Sequence, residues 1–254
     1  MDNRLLRALS RAEFLALDAK LEQVRLEHGT VLSQAHVPIA HVYFPTTAII
    51  SLLLPMTSGA PVEMALVGSD GVVGVGLTSG ASASAMRAVV HVSGHGYRIS
   101  AARFLRALQA SPRLRLLMGR YANTLLEQIV RCAACSQRHL VSERCARWLL
   151  MAHDRVGVDT FELTQELLGN ALDVKRQSVS VAAAELQRAG LIRYSRGRVC
   201  VTNRAGLEAA ACGCYRVIVD DETRGLSNGA AKRRPALSIR ARTKKRATLS
   251  GPRA

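Results

Sequence analysis

Arg176 and Gln177, followed by Ser180 and Val181, form a cluster whose spacing places all four on one side of a helix. An arginine can donate two parallel hydrogen bonds to the edge of a guanine, which is worth about 1–3 kcal/mol of discrimination against other bases. The outer side of this helix is short-chained and carries almost no negative charge, so it can enter the major groove of DNA without repelling the phosphates. These four residues are candidates for reading base edges.

The residues that must position this cluster extend from 161 to 194 and predict two short helices, a tight turn between them and a strand after them. Thr164 can cap the first helix, and the turn falls at Asp173 and Val174. This arrangement is a helix-turn-helix, and an ordinary helical hairpin with a solvated face is the alternative interpretation. The second helix, predicted over 175–189, has an apolar face made of Val179, Ala182, Ala183 and Leu186.

A short hairpin is predicted directly after the second helix. Gly190 stands where a helix ends, a strand begins after it, and residues 195–198 form the turn before a second strand at 199–201. Basic residues in such a wing are suited to contacts with backbone phosphates, which position a protein on DNA. The candidates for phosphate contacts are Thr164, Lys175, Ser178, Arg188, Arg193, Arg196 and Arg198.

This region resembles the C-terminal domain of the Crp/Fnr family of bacterial transcription regulators, and residues 144–150 are similar to the helix that opens that domain. The resemblance implies that Arg176 reads a guanine and contacts the DNA backbone. Val181 stands where several members have a second arginine, so we expect the sequence preference to change more than the overall affinity. The other departures are Gln177 for a common glutamate, Asp173 for the turn glycine and Lys175 for the capping serine.

The N-terminal half has a different texture. Residues 4–27 predict one or two short helices. From residue 29 to about residue 100, short apolar or alternating runs are separated by Gly, Pro and Ser, which is typical of a sandwich or a jelly roll. The predicted strands are 31–32, 41–44, 48–54, 62–67, 72–73, 86–92 and 96–99.

This half is similar to the cyclic-nucleotide-binding-like sensor domain of the same family, with residues 42–45 and 71–74 as the matching segments. Family members that bind cyclic AMP hold the ribose with a Glu between the two glycines, and Val72 occupies that position here. They hold the phosphate with a later Arg-Ser/Thr pair. The segment that matches this pair here is 82–84, which contains no cation, and the first cation after it is Arg87. A desolvated phosphate would be poorly compensated, so we expect no conventional cyclic-nucleotide binding. The positions of this degenerate pocket are Gly71, Val72, Gly74, Ser82, Ala83 and Arg87.

One long helix is predicted over 111–138, with Ser111 as its cap and Pro112 at its first position. It has two apolar sides. One side, made of Leu114, Leu117 and Tyr121, can pack on the sandwich. The other predicts a dimer interface, because a heptad seam is formed by Met118, Ala122, Leu125, Ile129 and Cys132. A connector helix in a monomer is the alternative.

The net charge of +16 is unevenly distributed. Residues 222–254 contain ten Lys or Arg and one acidic residue, and their composition predicts a disordered tail. This tail is interpreted either as a non-specific nucleic-acid arm or as a dispensable extension. No stretch reaches the roughly 18–20 apolar residues of a membrane span, and the first residues lack a signal peptide's apolar core. We expect a cytoplasmic protein without membrane association.

The six cysteines all lie beyond residue 131. Cys132 and Cys135 are three residues apart in a predicted helix, and Cys212 and Cys214 are far away in the sequence. Neither pair has a second pair at zinc-finger spacing, so buried apolar roles are favoured and no metal or cofactor is expected. Redox or metal sensing through Cys132 and Cys135 is the alternative.

Together these patterns predict an α+β protein with a sensor domain over 1–110, a dimerisation helix over 111–138, a winged helix-turn-helix over 139–221 and a basic tail over 222–254. No phosphate-binding loop, HExxH motif or nucleophile elbow is present in the sequence, so we expect no enzyme. The predicted function is sequence-specific binding of double-stranded DNA by a homodimer, with RNA polymerase as a partner and an unidentified effector. Two alternatives are a cysteine-based redox or metal sensor and a non-specific nucleic-acid-binding protein that uses the tail.

Overall fold

The computed structural model describes residues 3–226. They form an N-terminal β-sandwich, a long helix and a C-terminal domain of helices with a small sheet. The predicted fold class is confirmed.

The sandwich consists of two antiparallel sheets. One has the strand order β1-β7-β3, and the other has the order β2-β6-β4-β5. Side chains alternate between the two faces of a strand, so neighbouring residues can serve different cores. In the second sheet, Ile50 points into the sandwich core, whereas the adjacent Ile49 packs against the helical domain. The strands are β1 Glu22–Leu26, β2 Val31–Ser33, β3 His41–Pro45, β4 Ile49–Leu54, β5 Val62–Val67, β6 Arg87–Val92 and β7 Gly94–Ser100.

Two predictions for the sandwich are wrong. Residues 22–26 form strand β1 and not part of a helix, because the strand pairs along β7 and its Glu22 accepts two 2.9 Å hydrogen bonds from Arg98. Residues 72–73 form no strand, although Val73 makes an isolated bridge to Tyr43. The chain leaves the extended conformation at Gly74, where φ is +95°, and enters a 3₁₀ turn at Val75–Ser79.

The long helix begins and ends inside its predicted range. Ser111 accepts a 3.1 Å hydrogen bond from the backbone N–H of Leu114, and Pro112 occupies the first turn. The helix before it, α3, was not predicted. The helices of this half are α1 Arg4–Arg7, α2 Arg11–Asp18, α3 Ala101–Ala110 and α4 Pro112–Ser136.

The C-terminal domain surrounds a three-stranded sheet of order β8-β10-β9, whose first strand precedes the predicted helix-turn-helix. Its strands are β8 Thr160–Glu162, β9 Ile192–Ser195 and β10 Arg198–Val201. Its helices are α5 Val141–Val156, α6 Gln165–Leu172, α7 Arg176–Arg188, α8 Arg204–Ala210 and α9 Cys214–Leu226.

The predicted boundary between residues 221 and 222 is wrong, because it falls inside α9. The helix continues there since buried Asp221 and the mostly buried Glu222 pack within the fold. The remainder of the predicted basic tail, residues 227–254, lies outside the described residues. Among residues 3–226, no helix combines the length and apolar character needed to cross a membrane.

Candidate nucleic-acid interface

Helices α6 and α7 form the predicted helix-turn-helix. Thr164 caps α6 by accepting a 3.1 Å hydrogen bond from the N–H of Leu167. Asp173 makes the turn with φ of +51°, a conformation for which Asp is more suited than most residues. Gly169 allows the turn to approach α6, since a Cβ atom there would lie 3.0 Å from the carbonyl oxygen of Val174. The turn thus forms without the glycine usual in the family.

Helix α7 presents three of the four predicted base-reading residues to solvent. Arg176, Gln177 and Val181 are exposed on the side opposite the buried face of α7. Ser180 is half-buried, and its hydroxyl donates a 2.6 Å hydrogen bond to Oε1 of Gln165 on α6. Ser180 is therefore already engaged within the protein, and Gln165 is a neighbour of the site that the sequence did not indicate.

The wing is the hairpin of β9 and β10. Its two-residue turn has positive φ at both positions, +48° at Arg196 and +74° at Gly197, as in the turns that match the twist of a hairpin. Tyr194 fastens the hairpin to the domain by donating a 2.6 Å hydrogen bond to the carbonyl of Leu163. All seven predicted phosphate contacts are exposed, namely Thr164, Lys175, Ser178, Arg188, Arg193, Arg196 and Arg198.

A buried polar network joins the helical domain to the sandwich. Trp148 of α5 donates a 2.8 Å hydrogen bond from Nε1 to Oε1 of Glu63 on β5. Ser51 donates to the other oxygen of Glu63 at 2.5 Å, and its hydroxyl also shares a 2.9 Å hydrogen bond with Nδ1 of His91. Burial raises the pKa of Glu63 to about 7 and lowers the pKa of His91 to about 4. At this interface both side chains therefore favour their neutral forms.

A second link between the domains centres on Arg155, at the end of α5. Its guanidinium forms ion pairs with Glu222 of α9 and with Asp70, which lies in the loop after β5. Gly68 in the same loop lies against the Arg155 side chain, so closely that a Cβ atom at that position would overlap it. The sensor loop, the helical domain and α9 thus meet at one buried charge.

The six positions of the predicted degenerate effector pocket lie in different surroundings. Val72 is buried in the sandwich core, and Gly71 lies against the hydroxyl of Tyr121 on α4. Ser82 and Ala83 bond to the chain at residues 38–39, close to which Gly74 also lies. Arg87 instead lines a cavity of about 290 Å³ between the outer face of the sandwich and α6.

The heptad seam that predicted a dimer interface is largely turned toward the chain's own core. Met118 and Leu125 are only 1% and 7% exposed and pack with the sandwich, as does the half-buried Ile129. Ala122 and Cys132 are also half-buried. The seam lies beside the side made of Leu114, Leu117 and Tyr121, which is buried as predicted, so one broad face of α4 covers the sandwich. The assignment of this seam to a partner is therefore corrected.

Another row of residues on α4 faces solvent, and we refer to it as the outer stripe. Leu126 and Val130 within it are 57% and 60% exposed, so together with Leu116 the stripe leaves a row of large apolar side chains on the surface. Asn123 lies among the apolar members and donates a 2.9 Å hydrogen bond to Glu127. The members recur at alternating spacings of three and four residues and are Leu116, Gly119, Asn123, Leu126, Val130 and Ala133.

The two cysteine pairs are not isolated from each other, contrary to the sequence prediction. Cys135, near the end of α4, lies 3.5 Å from Cys212 between their Sγ atoms. A hydrogen bond with Cys212 lowers the pKa of the Cys135 thiol to about 5, while the same contact raises the pKa of Cys212. Cys214 and His139 complete the cluster. Cys132 lies outside this cluster and contacts Nη1 of Arg147 at 3.2 Å.

Comparisons with known proteins agree with this architecture. The sequence model of the Crp-like helix-turn-helix domain matches residues 143–210. Among solved structures, FixK2 from Bradyrhizobium japonicum is similar with a TM-score of 0.66 at 15% identity, covering 76% of this chain and 98% of that one. A CRP-family transcriptional regulator from Thermus thermophilus gives a TM-score of 0.59 at 19% identity, over 74% of this chain and 96% of its own.

The c-di-GMP responsive global regulator CLP of Xanthomonas campestris gives a TM-score of 0.58 at 17% identity, over 76% of this chain and 99% of its own. Among curated proteins, none matches the chain. The expected resemblance is thus confirmed at the level of the fold over about three quarters of the chain, and at the level of sequence for residues 143–210, which contain the helix-turn-helix. Residues 143–210 form a Crp-like helix-turn-helix domain, and the chain has the architecture of the Crp/Fnr regulators.

Proposed function

We propose that this protein is a sequence-specific DNA-binding transcription regulator that acts as a homodimer on a palindromic site. The observation that carries the proposal is the exposed side of α7, where Arg176, Gln177 and Val181 are free of covering structure beside a wing with three exposed arginines. The helix can enter a major groove, while the wing and the start of α7 contact phosphates. Of the predicted base readers, Ser180 must first leave Gln165 to contact a base.

Dimerisation is assigned to the outer stripe of α4. Its heptad spacing is that of a two-stranded coiled coil, and it extends over about 25 Å of helix. Leu126 and Val130 supply apolar contact area, Gly119 permits close approach, and Asn123 can fix the register between two copies. A Cβ atom at Gly119 would meet open space within the chain itself, so this side of the helix is available to a partner.

A dimer holds two copies of α7, the recognition helix, at a defined separation. Two recognition helices about 34–36 Å apart match one turn of DNA, and two-fold symmetry of the protein then matches a palindromic site. A regulator that binds chromosomal DNA acts in the cytoplasm and is expected to meet RNA polymerase there. These partners belong to the proposal together with the dimer.

Signalling is proposed to pass through the buried contacts between the sandwich and the helical domain. A change near β5 acts on Trp148 through Glu63, and a change in the loop after β5 acts on Arg155 through Asp70. Either change would bias an equilibrium between two forms of the dimer. In one form the distance between the two α7 helices matches the spacing of the half-sites, and in the other it does not.

The proposal is tested by selecting bound sequences from random DNA with the full-length protein at a stated salt concentration. A palindromic motif whose half-sites are separated by about one helical turn is the expected result. Binding that shows no motif and varies only with salt would support the non-specific alternative and contradict the proposal.

A further inference from the structure

Four metal-ligating side chains meet where the end of α4 contacts the start of α9. Cys135 lies in the last turn of α4, and His139 follows in the connection to α5. Cys212 lies between α8 and α9, and Cys214 is the first residue of α9. One ligand atom from each residue lies within 4.8 Å of all the others. Residues 77 positions apart in sequence thus converge on one point.

The spacing of these atoms fits a single tetrahedral ion. A zinc ion bound at about 2.3 Å by sulfur requires two sulfur ligands to lie about 3.8 Å apart. The Sγ atoms of Cys135 and Cys212 are 3.5 Å apart, and Sγ of Cys214 lies 3.8 Å from Nδ1 of His139. We propose that Cys135, His139, Cys212 and Cys214 bind one Zn²⁺ ion.

The donor set selects the ion. Three thiolates and one imidazole are soft or intermediate ligands, which suit Zn²⁺ and disfavour Mg²⁺ or Ca²⁺. Four protein ligands close the coordination shell, as in sites that hold a structure together and do not catalyse a reaction. Zinc binding displaces the thiol protons, which pass to solvent, and leaves a site of net charge −1 that the buried guanidinium of Arg147 can offset.

Packing alone does not account for this cluster. Cys145 shows what a cysteine used as an apolar side chain looks like here, since it is fully buried and burial raises the pKa of its thiol to about 12. Cys214 and His139 are half-buried and point toward each other and toward two further thiols. Two of the four residues precede the matched helix-turn-helix domain at 143–210 and two follow it, so the site lies outside that domain.

A bound ion would fasten α9 to the end of α4, next to the outer stripe. Cys135, His139 and Cys214 line a groove together with Leu126 and Val130 of that stripe. Zinc therefore supports the connection between the long helix and the helical domain from a position beside the proposed dimer contact. Metal content can be measured without DNA, so a failure of this inference is distinguishable from a failure of the proposed function.

The direct test is the zinc content of the full-length protein, purified under reducing conditions from zinc-supplemented medium. About one zinc per chain is expected in the wild type and in Cys200→Ser, a control in strand β10 outside the cluster. Cys214→Ser and His139→Ala are expected to fold, as judged by circular dichroism, and to lose at least tenfold in zinc affinity measured against a chelator. Both replaced side chains are only half-buried, which limits the damage to the fold.

Cobalt provides a second readout. Co²⁺ added to the metal-free, reduced protein is expected to show the visible bands of a tetrahedral site and thiolate charge transfer. The charge-transfer intensity should fall by about a third in Cys214→Ser, which loses one of the three thiolates, and should persist in His139→Ala. Absence of zinc and of a tetrahedral cobalt spectrum would overturn the proposal, as would iron with inorganic sulfide in the purified protein. Full zinc affinity in both variants would overturn it as well.

Discussion

The guanidinium of Arg155 lies 2.8 Å from the carboxylate of Asp70, and this buried ion pair joins the helical domain to the loop that follows β5. Both side chains are almost completely buried. The same guanidinium lies 2.7 Å from Glu222 of α9, so one positive charge compensates two acids. Burial raises the pKa of Glu222 to about 7 despite this pairing. The arrangement depends on Arg155 more than on either acid.

Replacing Arg155 by Met should therefore be strongly destabilising. The variant leaves Asp70 and Glu222 buried without their cation, for which a loss of about 3–5 kcal/mol in the free energy of unfolding is expected. The measurement is denaturant unfolding at neutral pH. Arg25→Met is the matched control, because the Arg25–Glu27 pair is largely exposed and such pairs contribute about 1 kcal/mol or less. Equal effects of the two substitutions would show that the buried pair is not a structural link.

The outer stripe of α4 predicts which substitutions separate a dimer. Leu126→Glu and Val130→Glu place charges in the proposed contact, so they should yield monomers in sedimentation or light-scattering measurements. Because both side chains are mostly exposed within one chain, the fold should be retained. Leu105→Glu on α3, at a residue that is 39% exposed, is the control and should leave the dimer intact.

Leu125 distinguishes the outer stripe from the seam predicted from sequence. Leu125→Ala removes a side chain from the sandwich core, so it should cost about 2–5 kcal/mol of stability and leave the association of folded chains unchanged. If Leu125→Ala instead dissociated the dimer without loss of stability, the dimer interface would be formed by the predicted heptad seam.

Glu63 predicts a specific dependence of stability on pH. Its pKa in the folded protein is raised from 4.5 to about 7, first of all by burial. Between these values the folded state binds more protons than the unfolded state, so this residue makes the free energy of unfolding fall as pH rises. Glu63→Gln stays neutral and can still accept the hydrogen bond from Trp148. The variant should therefore gain stability relative to wild type across this window, by about 3 kcal/mol at most.

His91 contributes with the opposite sign. Its pKa is lowered to about 4, so stability due to His91 is lost as the pH falls from about 6.5. This contribution is shared by wild type and Glu63→Gln and largely cancels in their difference. A difference that does not change between pH 4.5 and 7 would contradict the raised pKa of Glu63.

The basic segment after α9 predicts a change in salt dependence. Residues 227–254 carry nine Lys or Arg and no acid, and each neutralised phosphate contributes about 0.9 to the slope of log affinity against log salt concentration. A chain ending at Leu226 should show a shallower slope and select the same motif. An unchanged slope would favour the alternative interpretation, in which the basic tail is a dispensable extension.

A cut at the boundary expected from the sequence, after Asp221, would give a misleading result. It removes Glu222 from Arg155 and shortens α9 where Gly225 packs closely on Thr124. Loss of DNA binding in that truncated chain would then reflect damage to the fold. The comparison must therefore use Leu226 as the last residue.

Short-range sequence patterns predicted the helix-turn-helix well. Thr164 caps α6, and the buried residues of α7 are the four that its spacing indicated, because both features depend on neighbours within a few turns. Ser111 and Pro112 predicted the start of α4 for the same reason. These patterns could not show which face of α4 packs on the sandwich and which is left for a second chain. The seam and the outer stripe both have heptad spacing, and only the tertiary structure shows which one covers the sandwich.

The cysteine cluster was missed for a related reason. Cys135 and Cys212 belong to different elements, and no spacing rule connects residues that far apart. The one available signal was the short interval between Cys212 and Cys214, which is also compatible with unpaired thiols. Strand β1 was missed because its alternation is short and its identity depends on pairing with β7.

Sequence-specific reading by α7 is the central claim, and repeating the selection from random DNA with Arg176→Ala tests it most directly. The variant should lose discrimination at one base pair in each half-site, worth about 1–3 kcal/mol, and keep it elsewhere. Arg196→Ala in the wing should weaken binding to all sequences alike, and Arg103→Ala on α3 should match the wild type. A motif unchanged by Arg176→Ala would contradict base reading by this helix.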